Sequence, residues 1–248
     1  MVVQRVGAAV GRVAALAALL LAGCAGGGQG KPLTPPKTTV APYDAVAGEP
    51  LWAVVPLRNE TGTTQIDTLA ISDKLVSAVE QAEGVRALPL NRTLAALRAL
   101  GLADVRSPAD ARRIAQALGA DGVLVGSITA YDPYHPVVGV SLALFPVAPP
   151  AARTPVDPAR IALAPTESRV LGGTPNADRP VSVVSEVFDA RNHQVQMDVR
   201  AYAVGRSEPA SALGWERYLR SAVLFEEFAM FSGVERLIRQ EWVRTAHP

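Results

Sequence analysis

Runs of apolar residues and polar breaks along the chain predict its elements and their order. Residues 51–57 (LWAVVPL) are apolar at both parities, the pattern of a strand buried on both faces, and RNETGTT after them reads as a loop. A 3.6-residue period then takes over: Ile66, Leu69, Val76 and Val79 fall on one face of a helix that is expected to end near Gly84. Residues 85–90 predict a second strand, and Asn91 is placed to cap a short helix whose Leu94, Leu97 and Leu100 face one way before Gly101. Ser107, Pro108 and Asp110 carry the start signals of a third helix: a capping hydroxyl, a proline at the first position and a capping-box acid. Gly119 marks its end.

Residues 121–131 (DGVLVGSITAY) are apolar or small at both parities, which predicts a central strand covered on both faces. Residues 137–145 follow across the short DPYHP connection, so an antiparallel hairpin is expected. Further strands are expected at 181–190 and 195–204, because Val195, Met197, Val199 and Ala201 alternate with Gln196, Asp198, Arg200 and Tyr202. A last helix is expected over 218–244, broken at Ser232 and Gly233. At about 100° per residue, its Leu219, Val223, Phe225, Phe228 and Phe231 spread over more of the circumference than one sheet face buries. Phe225 and Phe228 are therefore candidate partner-binding residues. These elements predict an α/β fold, a mixed sheet of about six strands with helices packed on it, in one domain over 51–248.

Two segments break the pattern. Residues 25–50 hold five glycines and five prolines without periodicity, so 24–50 reads as a tether. Residues 146–180 hold eight prolines and read as a surface insertion. At the front, Arg5 and Arg12 precede an unbroken apolar run of ten at 13–22. That run is too short to span a bilayer, which takes about 20 residues, and is the core of an export signal over 1–23.

Composition removes several functions. Of 248 residues 49% are apolar, enough for a core, while the formal charge is only +1, too weak a field for nonspecific nucleic-acid binding. Loss of Arg5 and Arg12 with the signal leaves 22 basic and 23 acidic side chains, a charge of −1, so anionic lipid would not attract the rest. One cysteine makes no internal disulfide, and His135, His193 and His247 stand at no metal-ligand spacing. Ser141 lacks the second glycine of a nucleophile elbow, and Gly119, Gly122 and Gly126 do not form a dinucleotide fingerprint. The reading assigns no catalytic residue, metal or cofactor. Asn59, Glu60 and Thr61 follow the first strand at its carboxyl end, where α/β sheets bind ligands. Asn59 and Glu60 are thus candidate partner-binding residues; the alternative is that Asn59 and Thr61 fix the loop and cap the helix.

Two resemblances extend this reading. Leu21, Ala22, Gly23 and Cys24 resemble the lipobox of bacterial lipoproteins. That implies that signal peptidase recognises Leu21, Ala22 and Gly23 and that the Cys24 thiol takes a diacylglycerol. Ala25, in place of Asp, goes in the enterobacterial pattern with sorting to the outer membrane. Acyl chains, at ~0.8 kcal/mol per buried CH₂, would then be the membrane anchor. Further on, AVVPLRNETG (53–62), EGVRALPLNRTLAALRALGL (83–102) and above all AQALGADGVLVGSIT (115–129) resemble the amino-terminal domain of the translocation protein TolB and its relatives. Those relatives include the curli-secretion channel lipoprotein, the lipoprotein activator of penicillin-binding proteins and flagellar outer-membrane lipoproteins. The resemblance implies a lipid-anchored, non-enzymatic periplasmic module that binds or assembles proteins of the cell envelope. A component of an envelope secretion or transport machine is the alternative, and a hydrolase with an unrecognised site is a third reading. A pore is not expected, because 146–180 lacks the alternation of about 9 to 11 residues per strand that a membrane hairpin needs.

Overall fold

Side chains alternate across the central sheet, and each parity meets its own core. Trp52, Val54, Leu124 and Ile128 join one buried cluster, whereas Ala53, Val55 and Val123 join another. The computed structural model describes residues 34–43, 48–147, 179–207 and 211–246. The expected signal and lipobox (Leu21, Ala22, Gly23, Cys24) and nearly all of the insertion lie outside these residues.

The strands are β1 (Thr39–Val40), β2 (Leu51–Val54), β3 (Arg58–Asn59), β4 (Ala82–Glu83), β5 (Arg86–Leu88), β6 (Gly122–Asp132), β7 (Val137–Pro146) and β8 (Ser182–Asp189). The helices are α1 (Thr68–Glu80), α2 (Leu90–Ala99), α3 (Pro108–Leu118), α4 (His193–Ala203), α5 (Arg217–Arg220) and α6 (Ala222–Ala246). Six strands form a mixed sheet in the order β5-β2-β6-β7-β8, with β3 also paired to β6. The β5, β2, β3 and β6 pairings are parallel, and the β6-β7-β8 pairings are antiparallel. Helices α1, α4 and α6 contribute to the first core, and α2 and α3 to the second, so the fold class is the expected α/β with a mixed sheet.

Local chemistry explains the boundaries. Ser107 and Asp110 exchange side-chain-to-backbone hydrogen bonds at the start of α3, and Gly119 ends it at φ +63°. Gly126 is needed for close approach: a Cβ there would lie 2.6 Å from the Ser141 carbonyl oxygen and 2.8 Å from Leu57 Cδ2. The physical reason for the last glycine of the LGADGVLVG stretch lies in the packing of β6 against β7 and Leu57.

Several expectations are corrected. Residues 195–203 lie in helix α4 and not in a strand, with Val204 its C-cap: Val195, Val199, Tyr202 and Ala203 are buried at helical spacing, while Met197 is 46% exposed. Asn192 caps this helix by accepting from the Gln194 N–H. Helix α1 is capped by Asp67 and ends at Glu80; Leu69 is exposed, and Gly84, at φ +83°, turns the chain between β4 and β5 instead of ending the helix. Helix α2 begins at Leu90 behind Pro89 with no side-chain cap, so Asn91 lies inside it. The break in the last helical segment is at Ser221, whose backbone is extended; α6 runs unbroken through Ser232 and Gly233. Gly233 is a packing residue, since a Cβ there would stand 3.2 Å from Leu142 Cδ1 on β7.

The compact unit begins at Pro35, so residues 35–43 and 48–50 of the expected tether belong to the fold. Ala41 and Tyr43 are buried, and the Ala41 N–H donates to the Glu83 carbonyl beside the β1–β4 pair. Trp242 Nε1 donates to the Val40 carbonyl at 2.7 Å, and the Tyr43 hydroxyl to Glu241 at 2.9 Å. This arm is strapped to α6 by side chains more than 190 residues away in sequence.

Candidate functional site

Among the described residues β8 pairs with one strand, β7, and its other edge has no strand beside it. Antiparallel pairing turns alternate backbone groups away from the ladder. At Val183 those outward groups are both met by the side-chain amide of Gln240 on α6: its Oε1 accepts from the Val183 N–H at 2.9 Å and its Nε2 donates to the Val183 carbonyl at 2.7 Å. Ser185 and Val187 share this parity, stay in unshifted register with β7 and are exposed. Among the described residues the edge is therefore capped at one end by a copy of a peptide group and open beyond it.

A cleft of about 960 Å³ runs beside this edge, walled by α4, floored by α6 and bordered by Lys37 of the amino-terminal arm. Its charges are paired unevenly. Lys37 and Arg239 share one carboxylate, Glu235, at 2.5 and 3.3 Å. Glu186 and Asp198 share one guanidinium, Arg236, which pairs with the first and lies 4.0 Å from the second. One part of the cleft thus carries a surplus of positive charge and the other a surplus of negative charge.

The deeper wall is held rigid by a buried network. Glu241 is fully buried and accepts from the Tyr43 and Ser182 hydroxyls and from Arg244, whose Nη2 is 2.6 Å away. Hydrogen bonding to Glu241 makes the Arg244 guanidinium still harder to deprotonate. Burial, followed by the Glu241 carboxylate, raises the Tyr43 phenol far above its ordinary range, and burial pushes Tyr202 up to about 12. Both phenols stay protonated at neutral pH. The lining offers hydrogen-bond donors, acceptors and paired charges, which suit holding a polar extended ligand; among the described residues no group of His, Cys, Asp or Glu is placed to hold a metal.

The residues proposed from sequence do not share a surface. Phe225 and Phe228 are 0% and 1% exposed, with ring centroids 5.6 Å apart and Phe228 5.5 Å from Phe188, so both are core residues and not docking residues. The surplus apolar circumference of α6 is covered from inside, by α1, α4 and α5 as well as the sheet. Asn59 and Glu60 lie outside, at β3. Asn59 Oδ1 accepts from the Thr61 N–H and hydroxyl, its Nδ2 donates to the Thr63 carbonyl, and Glu60 accepts from the Ser127 hydroxyl and pairs with Arg58. These bonds build the loop, and the helix cap falls to Asp67. Cys24, Leu21, Ala22 and Gly23 lie outside the described residues. Sequence reasoning missed Gln240, Ser185 and Arg236, because strand-edge status is set by tertiary placement and not by local pattern.

No family model matches the chain, and no curated protein matches it. Among solved structures it is similar to the LpoB C-terminal domain from Salmonella enterica, at 18% identity over 44% of this chain and 81% of that one, TM-score 0.35. It is similar to lipoprotein GNA1162 from Neisseria meningitidis at 16% identity over 61% and 94%, TM-score 0.37. The PelC dodecamer from Paraburkholderia phytofirmans matches at 24% identity over 46% and 71%, TM-score 0.29. At these scores the likenesses carry no functional argument.

Proposed function

We propose that this protein is a lipid-anchored, non-enzymatic module of the bacterial cell envelope, held at the outer membrane facing the periplasm, that binds another envelope protein. The observation that carries the reading is Leu21-Ala22-Gly23-Cys24, directly after a ten-residue apolar run and holding the chain's one cysteine. Among the described residues no helix is long and apolar enough to cross a membrane, and the charge of the mature part gives anionic lipid nothing to hold. The cleft beside β8 supplies a surface for such a partner.

The test is the Cys24→Ser variant, followed by membrane fractionation and labelling with radioactive palmitate. Label and membrane attachment should both be lost. A variant that stays with the membrane, or a wild-type protein that takes no label, would contradict the anchor.

A further inference from the structure

We infer that the outer edge of β8 is a strand-addition site, where an extended segment of another envelope protein pairs with Ser185 in the cleft between β8 and α4 and with Val187 next to it along the edge. The inference deepens the binding reading of the same cleft.

Three observations carry it. The Gln240 amide already makes, at Val183, the donor-and-acceptor pair that an added strand would make, so the edge has the geometry for pairing. The next outward positions, Ser185 and Val187, are exposed and in register. Neither has a hydrogen bond beyond the ladder with β7, so each offers an N–H and a carbonyl of the spacing only an extended backbone repeats. Finally, the uneven pairing of charge selects side chains. A segment with an acidic residue toward Lys37 and Arg239 and a basic residue toward Glu186 and Asp198 completes both groups. A seven-residue extended segment is ~23 Å long, matched to the eight residues of β8.

The experiment uses the full chain in detergent and a capped, fluorescent peptide, Glu-Val-Thr-Val-Thr-Val-Lys, read by polarisation. Binding should be saturable. N-methylation of one alternate set of peptide amides should weaken it about tenfold or more, and methylation of the other set should not, because only one set faces β8. Glutamine in place of both charged residues should weaken it about threefold, the range of solvent-screened pairs. Ser185→Pro should abolish binding while leaving the thermal midpoint in place, since proline is accepted where an edge N–H faces outward. Should that variant not fold, the two methylated peptides carry the decision alone. Absence of saturable binding, or equal tolerance of both methylation patterns, overturns the proposal. So does binding that emerges only when 148–178 is replaced by a Gly-Ser linker, which gives the edge to the chain's own segment, or a dimer that Ser185→Pro splits, which gives it to a second copy. These failures leave the palmitate result untouched, so the anchor and the edge stand or fall separately.

Discussion

Phe225 shows how one residue decides between a core and a docking role. Its ring is fully buried beside Phe228, and Phe228 packs in turn on Phe188 of β8 and on Tyr202 of α4. Phe225→Ala should therefore cost ~3 to 5 kcal/mol, from lost transfer energy and the cavity left behind. Denaturant unfolding measures this directly; a loss below ~1 kcal/mol would place the ring at the surface. Helical periodicity on α6 was legible in the sequence, but the number of neighbours that share its circumference was not. Two glycines point the same way. Gly119 was readable as a helix end from its neighbours, whereas Gly233 reads as a breaker locally and is in fact the flat spot where α6 passes Leu142.

At the scale of elements, α3, β6 and the β6–β7 hairpin were legible because each carries its own local signal: a capping box, an apolar run at both parities, a short turn. The misread element was α4. Val195 and Val199 satisfy both a two-residue and a helical period, and the burial of Tyr202 and Ala203 with the exposure of Met197 separates the two. Asn192, as an N-cap, was the local signal that favoured the helix. The amino-terminal arm was illegible for a different reason: its partners, Glu235, Glu241 and Trp242, lie at the other end of the chain. The arm has a pH signature. Burial and Glu241 raise the Tyr43 phenol above its ordinary value of 10.0, so the native state keeps a proton that the unfolded state releases. The stability this contributes is complete below that ordinary value and is lost as pH rises above it toward the raised native value. Tyr43→Phe should lose less stability than wild type between about pH 10 and 11, measured by thermal midpoints. Parallel slopes for the two proteins would show that the phenol is not held as described.

At the scale of the molecule, the fold places its amino-terminal arm, the carboxyl-terminal part of α6 and the free edge of β8 around one cleft. The proposed lipid site, Cys24, precedes the arm in sequence. One measurement tests the proposed anchor and the binding edge together. A photoreactive amino acid placed at Ser185 in the full chain, activated in intact cells, reports what lies on the edge. The expected product is a cross-link to a proline-free segment of another envelope protein, absent when Cys24→Ser is combined with it. Cross-links confined to residues 148–178 of the same chain, or to a second copy, would contradict the account.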